Sequence, residues 1–192
     1  TTATEYKKDQ PMFMPYPSDQ TFYGYFNDFM TYTATDWTIT STDAGGDSGE
    51  VIQASSSAGG ALLITTNDAD NDSEELQLKG EAFKLSTSKK AYFSARFKLS
   101  DATESDMLLG LTITDTTAID GVTDGVFFKK DDGDTNLDFV VEKDSTETAT
   151  AAVGTVADDT FITATFFIDP DRSKVYYSID NAAPVGVVNT NL

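Results

Sequence analysis

The chain contains no cysteine and no histidine. Without cysteine there are no disulfides, no thiolate nucleophile and no thiolate metal ligand, so packing alone must hold the fold. Without histidine, mechanisms that use imidazole as general base or metal ligand are excluded, including the Ser-His-Asp triads and the common zinc sites. Positive charge is scarce as well. Thirteen lysines and arginines stand against 32 acids, giving a formal net charge of −19. Such a chain repels phosphate backbones and anionic headgroups, so neither nucleic acid nor a membrane surface is an expected partner. No apolar run approaches the roughly 18 residues that a membrane-spanning helix requires.

What the chain does have is a succession of short apolar runs separated by Asp, Gly, Ser and Thr, over a length of 192 residues that suits one large all-β domain. Strands are expected over residues 37–42, 50–54, 61–65, 74–78, 81–85, 91–99 and 107–114. Further strands are expected over 125–130, 137–143, 148–153, 161–169, 174–179 and 185–188. Turn chemistry punctuates them at Gly45-Gly46, Asp120-Gly121, Asp124-Gly125, Asp132-Gly133, Asp180-Asn181 and Pro170, and Gly59-Gly60 reads as a kink that opens a strand. No helical pattern competes, so parallel crossovers are excluded and an antiparallel β-sandwich of meander or jelly-roll type follows.

Two runs carry more detail. In residues 92–99, Phe93, Ala95, Phe97 and Leu99 alternate with Ser94, Arg96 and Lys98, the period-two pattern of a strand with one buried face. In residues 161–169 both alternating sets are largely apolar or Thr, which predicts a central strand covered on both faces.

The N-terminal stretch is different. Pro11, Pro15 and Pro17 stand among Met12, Phe13, Met14, Tyr16, Phe22, Tyr23, Tyr25 and Phe26. Proline at this density blocks helix and central strand alike. Residues 1–26 therefore read as an extended arm preceding a sandwich domain of residues 27–192. The aromatic arm needs a surface to lie on, either its own sandwich or a groove on a neighbour. Met12, Phe13, Met14, Tyr16, Phe22, Tyr23 and Tyr25 are its candidate partner-binding residues.

Only carboxylates remain as candidates for chemistry, and 32 acids generate chance patterns. Glu142, Asp144 and Glu147 have an E-x-D-x-x-E spacing that resembles the catalytic strand of laminarinase-like glycoside hydrolases, whose paired carboxylates act as nucleophile and general acid. Lys143, Ser145 and Thr146 between them read instead as a polar turn, so no catalytic residue is assigned. Asp68, Asp70, Asp72 and Glu74 could offer oxygen ligands to calcium, as could residues 131–138. Ser73 and Lys79 stand where a helix-loop-helix calcium site requires Gly and Glu, and the expectation is a protein without a cofactor. Trp37 reads as core, with a sugar-stacking platform as the alternative.

Several segments in series carry a family resemblance: Phe26-Asn27-Asp28-Phe29 with Trp37, residues 60–66 with the polar turn 67–72, residues 90–99, Gly110-Leu111, and residues 124–133. From about Phe22 onward the chain is similar to head-associated structural proteins of tailed bacteriophages that carry a concanavalin A-like, laminin-G-like sandwich. The resemblance implies a non-catalytic protein that decorates or cements the outer surface of a virion, docked on the major capsid protein. It further implies a homo-oligomer, trimeric by analogy with decoration proteins generally, and a further strand beyond Leu192. The alternative reading on the same fold is a carbohydrate-binding or receptor-binding module, for which a glycan would be the partner.

Overall fold

A computed structural model of the chain describes residues 24–42, 51–54, 58–66, 71–86 and 88–188. Met12, Phe13, Met14, Tyr16, Phe22 and Tyr23 lie outside the described residues, as do Asp68, Asp70 and the Gly45-Gly46 pair.

The architecture is all-β and antiparallel. The strands are β1 (Trp37–Thr42), β2 (Val51–Ala54), β3 (Leu62–Thr65), β4 (Ser73–Leu78), β5 (Ala91–Phe97) and β6 (Met107–Thr112). There follow β7 (Gly125–Lys130), β8 (Asn136–Lys143), β9 (Thr146–Thr155), β10 (Ile162–Asp169), β11 (Lys174–Ile179) and β12 (Val185–Val188). Two four-stranded sheets, ordered β12-β11-β10-β5 and β6-β7-β8-β9, form the sandwich, and the two-stranded pairs β1-β4 and β2-β3 accompany them. Every pairing is antiparallel.

Alternation explains the packing. On β5, Phe93 and Phe97 turn inward while Tyr92, Ser94 and Arg96 are exposed, as the period-two pattern requires. Phe93 stacks on Phe166 of β10 with ring centroids 5.0 Å apart. From the opposite sheet, Phe128 and Phe139 reach Phe166 at 6.1 and 5.9 Å, and Phe139 reaches Tyr177 at 5.3 Å. These rings, with Val126, Leu137, Val141, Ile168 and Val175, make one core between the sheets. Burying one such aromatic ring contributes about 1.5–3 kcal/mol before entropy is counted.

The outer faces of the two sheets differ. Over the β6-β7-β8-β9 sheet, Ala118 and Val122 pack on Phe127, Val140 and Leu108, closing a second, smaller core. The covering segment contains a helical turn, Ala118–Gly121, where the Asp120-Gly121 pair predicts only a loop turn. Its start is fastened to β4, because the Ala118 N–H donates to Glu75 Oε1 at 2.8 Å. Burial nonetheless raises the Glu75 carboxyl above its ordinary value, with that N–H opposing the shift and Asp115 adding to it.

On the outer face of the other sheet the described residues close no comparable core. β10 lies between β5 and β11, the interior position expected for it, but its coverage is uneven: Ile162, Ala164, Phe166 and Ile168 are buried while Thr163, Thr165 and Phe167 are half-exposed. The expected cover is complete on one face and partial on the other. Residues 81–85 also depart from expectation, since they form no strand and leave Phe83 exposed. In the other direction, β9 extends well beyond the expected 148–153 because it forms a tight hairpin with β8.

Candidate functional site

Three places on the described surface merit a chemical reading. The first is the entry to the domain. Tyr25 meets Trp37 edge-on at 6.0 Å and Phe29 lies 6.2 Å from the same indole, so Trp37 is half-buried under residues that precede it in the chain. The segment holds its shape through its own side chains: the Phe29 N–H donates to Asn27 Oδ1 at 2.7 Å and the Met30 N–H to Asp28 Oδ1 at 3.1 Å. Gly60, at φ +80°, lets the backbone of Asp28 to Met30 approach so closely that a Cβ there would lie 2.2 Å from the Asp28 carbonyl oxygen. Phe26 is left 83% exposed, Met30 71% and Tyr25 48%. Of the candidate arm residues, Tyr25 is the one within the described residues. Trp37 is spent on this contact and belongs to neither buried core cluster.

The second place is acidic. Asp144 and Ser145, both at positive φ, turn the chain between β8 and β9, so Glu142 and Glu147 become direct cross-strand partners. Asp124 adds a third acid, its Oδ1 accepting the Asp144 N–H at 3.3 Å. Burial raises the Glu142 carboxyl above its ordinary value, Glu147 and Asp124 raise it further, and Lys129 opposes them. The E-x-D-x-x-E spacing thus lies on a hairpin with its turn in the middle. Three of the four acids of residues 131–138 are occupied by local structure. Asp134 accepts the Asn136 N–H at 2.7 Å, Asp138 accepts the Ala152 N–H at 2.7 Å, and Asp131 pairs with Lys129 at 3.0 Å. Asp72 and Glu74 are half-buried at the start of β4. Among the described residues no group of three or more acids is placed to hold a metal ion.

The third place is the outer face of the β12-β11-β10-β5 sheet. It presents Tyr92, Ser94 and Arg96 from β5, Thr165 and Phe167 from β10, and Tyr176 from β11. Lys174 of β11 lies on the same face as Tyr176, and it and Arg96 are the face's cations. The sequence pattern places residues 161–169 and 174–179 in strands, and nothing in it singles out Phe167 or Tyr176; that they share one face with Tyr92 follows only from the register.

The fold has a counterpart among solved structures. A crystal structure of a protein of unknown function from Shewanella oneidensis MR-1 superimposes with a TM-score of 0.53 at 17% identity, over 85% of this chain and 68% of that one. At that identity the likeness concerns the fold alone. The sequence matches no protein-family model and no curated protein.

Proposed function

We propose that the chain is a non-catalytic structural module that docks on the outer surface of a phage capsid, as a decoration or cement protein held by the major capsid protein. The observation that supports docking is the apolar entry patch. Phe26 and Met30 are largely exposed on a segment that is itself clamped against Trp37 and Gly60. Exposed side chains of this size on a fixed backbone suit a protein partner, because little further ordering is needed on association. Repetition of one modest contact over a symmetric shell then multiplies its strength. The acidic exterior supports the same reading, since it keeps the remaining surface soluble and free of unspecific association.

The test is cosedimentation of the full chain with empty capsid shells, comparing the natural sequence with a Phe26→Ser, Met30→Ser double variant in the presence of EDTA. Saturable binding at a fixed ratio per capsid subunit, lost in the double variant, is the expected result. Absence of binding by the natural sequence overturns the proposal.

A further inference from the structure

The outer face of the β12-β11-β10-β5 sheet carries an arrangement that docking through the entry patch leaves unused. Strand register fixes its geometry. Phe166 pairs with Phe93 on one side and Tyr177 on the other, and all three belong to the core. The neighbouring positions face outward, so Tyr92, Phe167 and Tyr176 form a row of rings across three strands. Tyr92 is 52% exposed, and Phe167 and Tyr176 are half-buried. The row ends at Gly186, where an added Cβ would lie 2.8 Å from Tyr176 Cε1, so the ring rests over the glycine. Beside it runs a row of hydroxyls, Ser94, Thr165 and Ser178, with Ser94 Oγ and Thr165 Oγ1 2.9 Å apart. Beyond the hydroxyls, Arg96 lays its guanidinium 3.7 Å from the centroid of the Phe161 ring.

Charge separates this face from the rest of the molecule. The chain has 32 acids, yet the outward positions of these strands offer no free carboxylate. The acids that border the face are committed elsewhere. Asp159 pairs with Lys98 at 2.7 Å, Asp180 accepts the Thr163 N–H at 2.8 Å, and buried Asp169 pairs with Arg172 at 2.7 Å. Among the described residues no ion pair involves Arg96. An arginine whose guanidinium carbon lies over a ring and which has no ion-pair partner among the described residues keeps N–H donors for a ligand, and their fork matches a carboxylate.

We propose that this face binds an extended acidic polysaccharide, the aromatic and hydroxyl rows taking its sugar rings and Arg96 the carboxylate of a uronate. Aromatic faces stack on the apolar faces of pyranose rings; the Ser178 hydroxyl donates to the Ala182 carbonyl and Ser94 and Thr165 share one hydrogen bond, so the row offers sugar hydroxyls acceptor oxygens and the one donor left in the Ser94–Thr165 pair. Tyr92 and Tyr176 flank β10, so they stand two strand spacings, about 9.6 Å, apart. That span suits sugars of one chain lying across the strands. The net charge of −19 opposes a polyanion here as it does elsewhere on the molecule, and what this face sets against it is local: Arg96, with no ion-pair partner among the described residues, on strands whose outward positions carry no free carboxylate.

The experiment is isothermal titration of the full chain with oligogalacturonate and oligomannuronate, with a neutral cello-oligosaccharide as comparison, at physiological ionic strength. Arg96→Gln and Tyr92→Ala are titrated alongside, their folding checked by thermal unfolding. One of the acidic oligosaccharides is expected to bind, with affinity falling about tenfold or more in each variant, and the neutral sugar is expected to bind more weakly. No binding of either acidic sugar, equal affinity for the neutral one, or indifference to both substitutions overturns the proposal. The Phe26→Ser, Met30→Ser variant should bind sugar normally, which keeps this outcome separate from that of capsid docking.

Discussion

Glu142 and Glu147 sit directly opposite each other across the β8-β9 hairpin, so the fold places two like charges at one cross-strand position. Burial first, then Glu147 and Asp124, hold the Glu142 carboxyl above its ordinary 4.5. A folded-state value above the unfolded one means that the native state binds the proton more tightly. The contribution to stability is then present below about pH 4.5 and is lost as pH rises through the folded value. Glu142→Gln removes the repulsion, and opposed like charges cost on the order of 0.5 kcal/mol. The variant is expected to be more stable than the natural chain by about that amount near pH 7 and indistinguishable from it near pH 4. Urea unfolding at both pH values measures this; an equal gain at both would show that the effect is packing rather than charge.

Lys130 is 1% exposed, and its ammonium serves the backbone. Nζ donates to the carbonyls of Thr103 at 3.2 Å and Asp131 at 3.0 Å, and to that of Ser105, so it ties the loop before β6 to the end of β7. Lys130→Met keeps the apolar stem and removes the donors. The Thr103 carbonyl keeps the Gly133 N–H, but those of Ser105 and Asp131 lose the ammonium as donor, which makes this change destabilising by about 2 kcal/mol. Urea unfolding gives the magnitude, and faster proteolysis within residues 101–106 would locate it. Unchanged stability would mean that water replaces the ammonium without cost.

Gly110 faces Phe127 in the β6-β7 ladder, where a Cβ would lie 2.4 Å from the Val126 carbonyl oxygen and 2.5 Å from Phe127 Cα. Both atoms are backbone of an interior strand and have little room to yield. Gly110→Ala is therefore expected to cost about 2–3 kcal/mol, seen as a lowered thermal midpoint with the secondary structure retained. A midpoint equal to that of the natural chain would mean that the two strands separate freely at this point.

These residues show how much was legible in the sequence. The alternation of β5 was readable because its outward residues are Ser94, Arg96 and Tyr92, distinct in character from Phe93 and Phe97. On β10 the cover of one face is only partial, because Thr163, Thr165 and Phe167 form a half-buried layer, and such a layer has the same composition as a core. Residues 81–85 have strand-like composition but no ladder partner, and pairing is a tertiary fact that local pattern does not contain. The polar turn at 143–146 was visible in the residue types. Its consequence, a face-to-face pair of glutamates, needed the register.

The clamp at the domain entry can be tested by two neighbouring glycines that differ in what surrounds them. Gly59 and Gly60 both have positive φ, +88° and +80°, so alanine strains the backbone at either position. Around Gly59 there is open space, whereas a Cβ on Gly60 would lie 2.2 Å from the Asp28 carbonyl oxygen and 2.6 Å from the Met30 nitrogen. Gly60→Ala should therefore lift the segment carrying Phe29 away from Trp37, and Gly59→Ala should leave it in place. The single tryptophan reports the difference directly. A red shift of its emission is expected in Gly60→Ala alone, together with weakened capsid cosedimentation if Phe26 and Met30 dock as proposed. The same red shift in both variants would assign the change to strain in the turn and remove the argument that close approach at Gly60 holds the apolar patch in position.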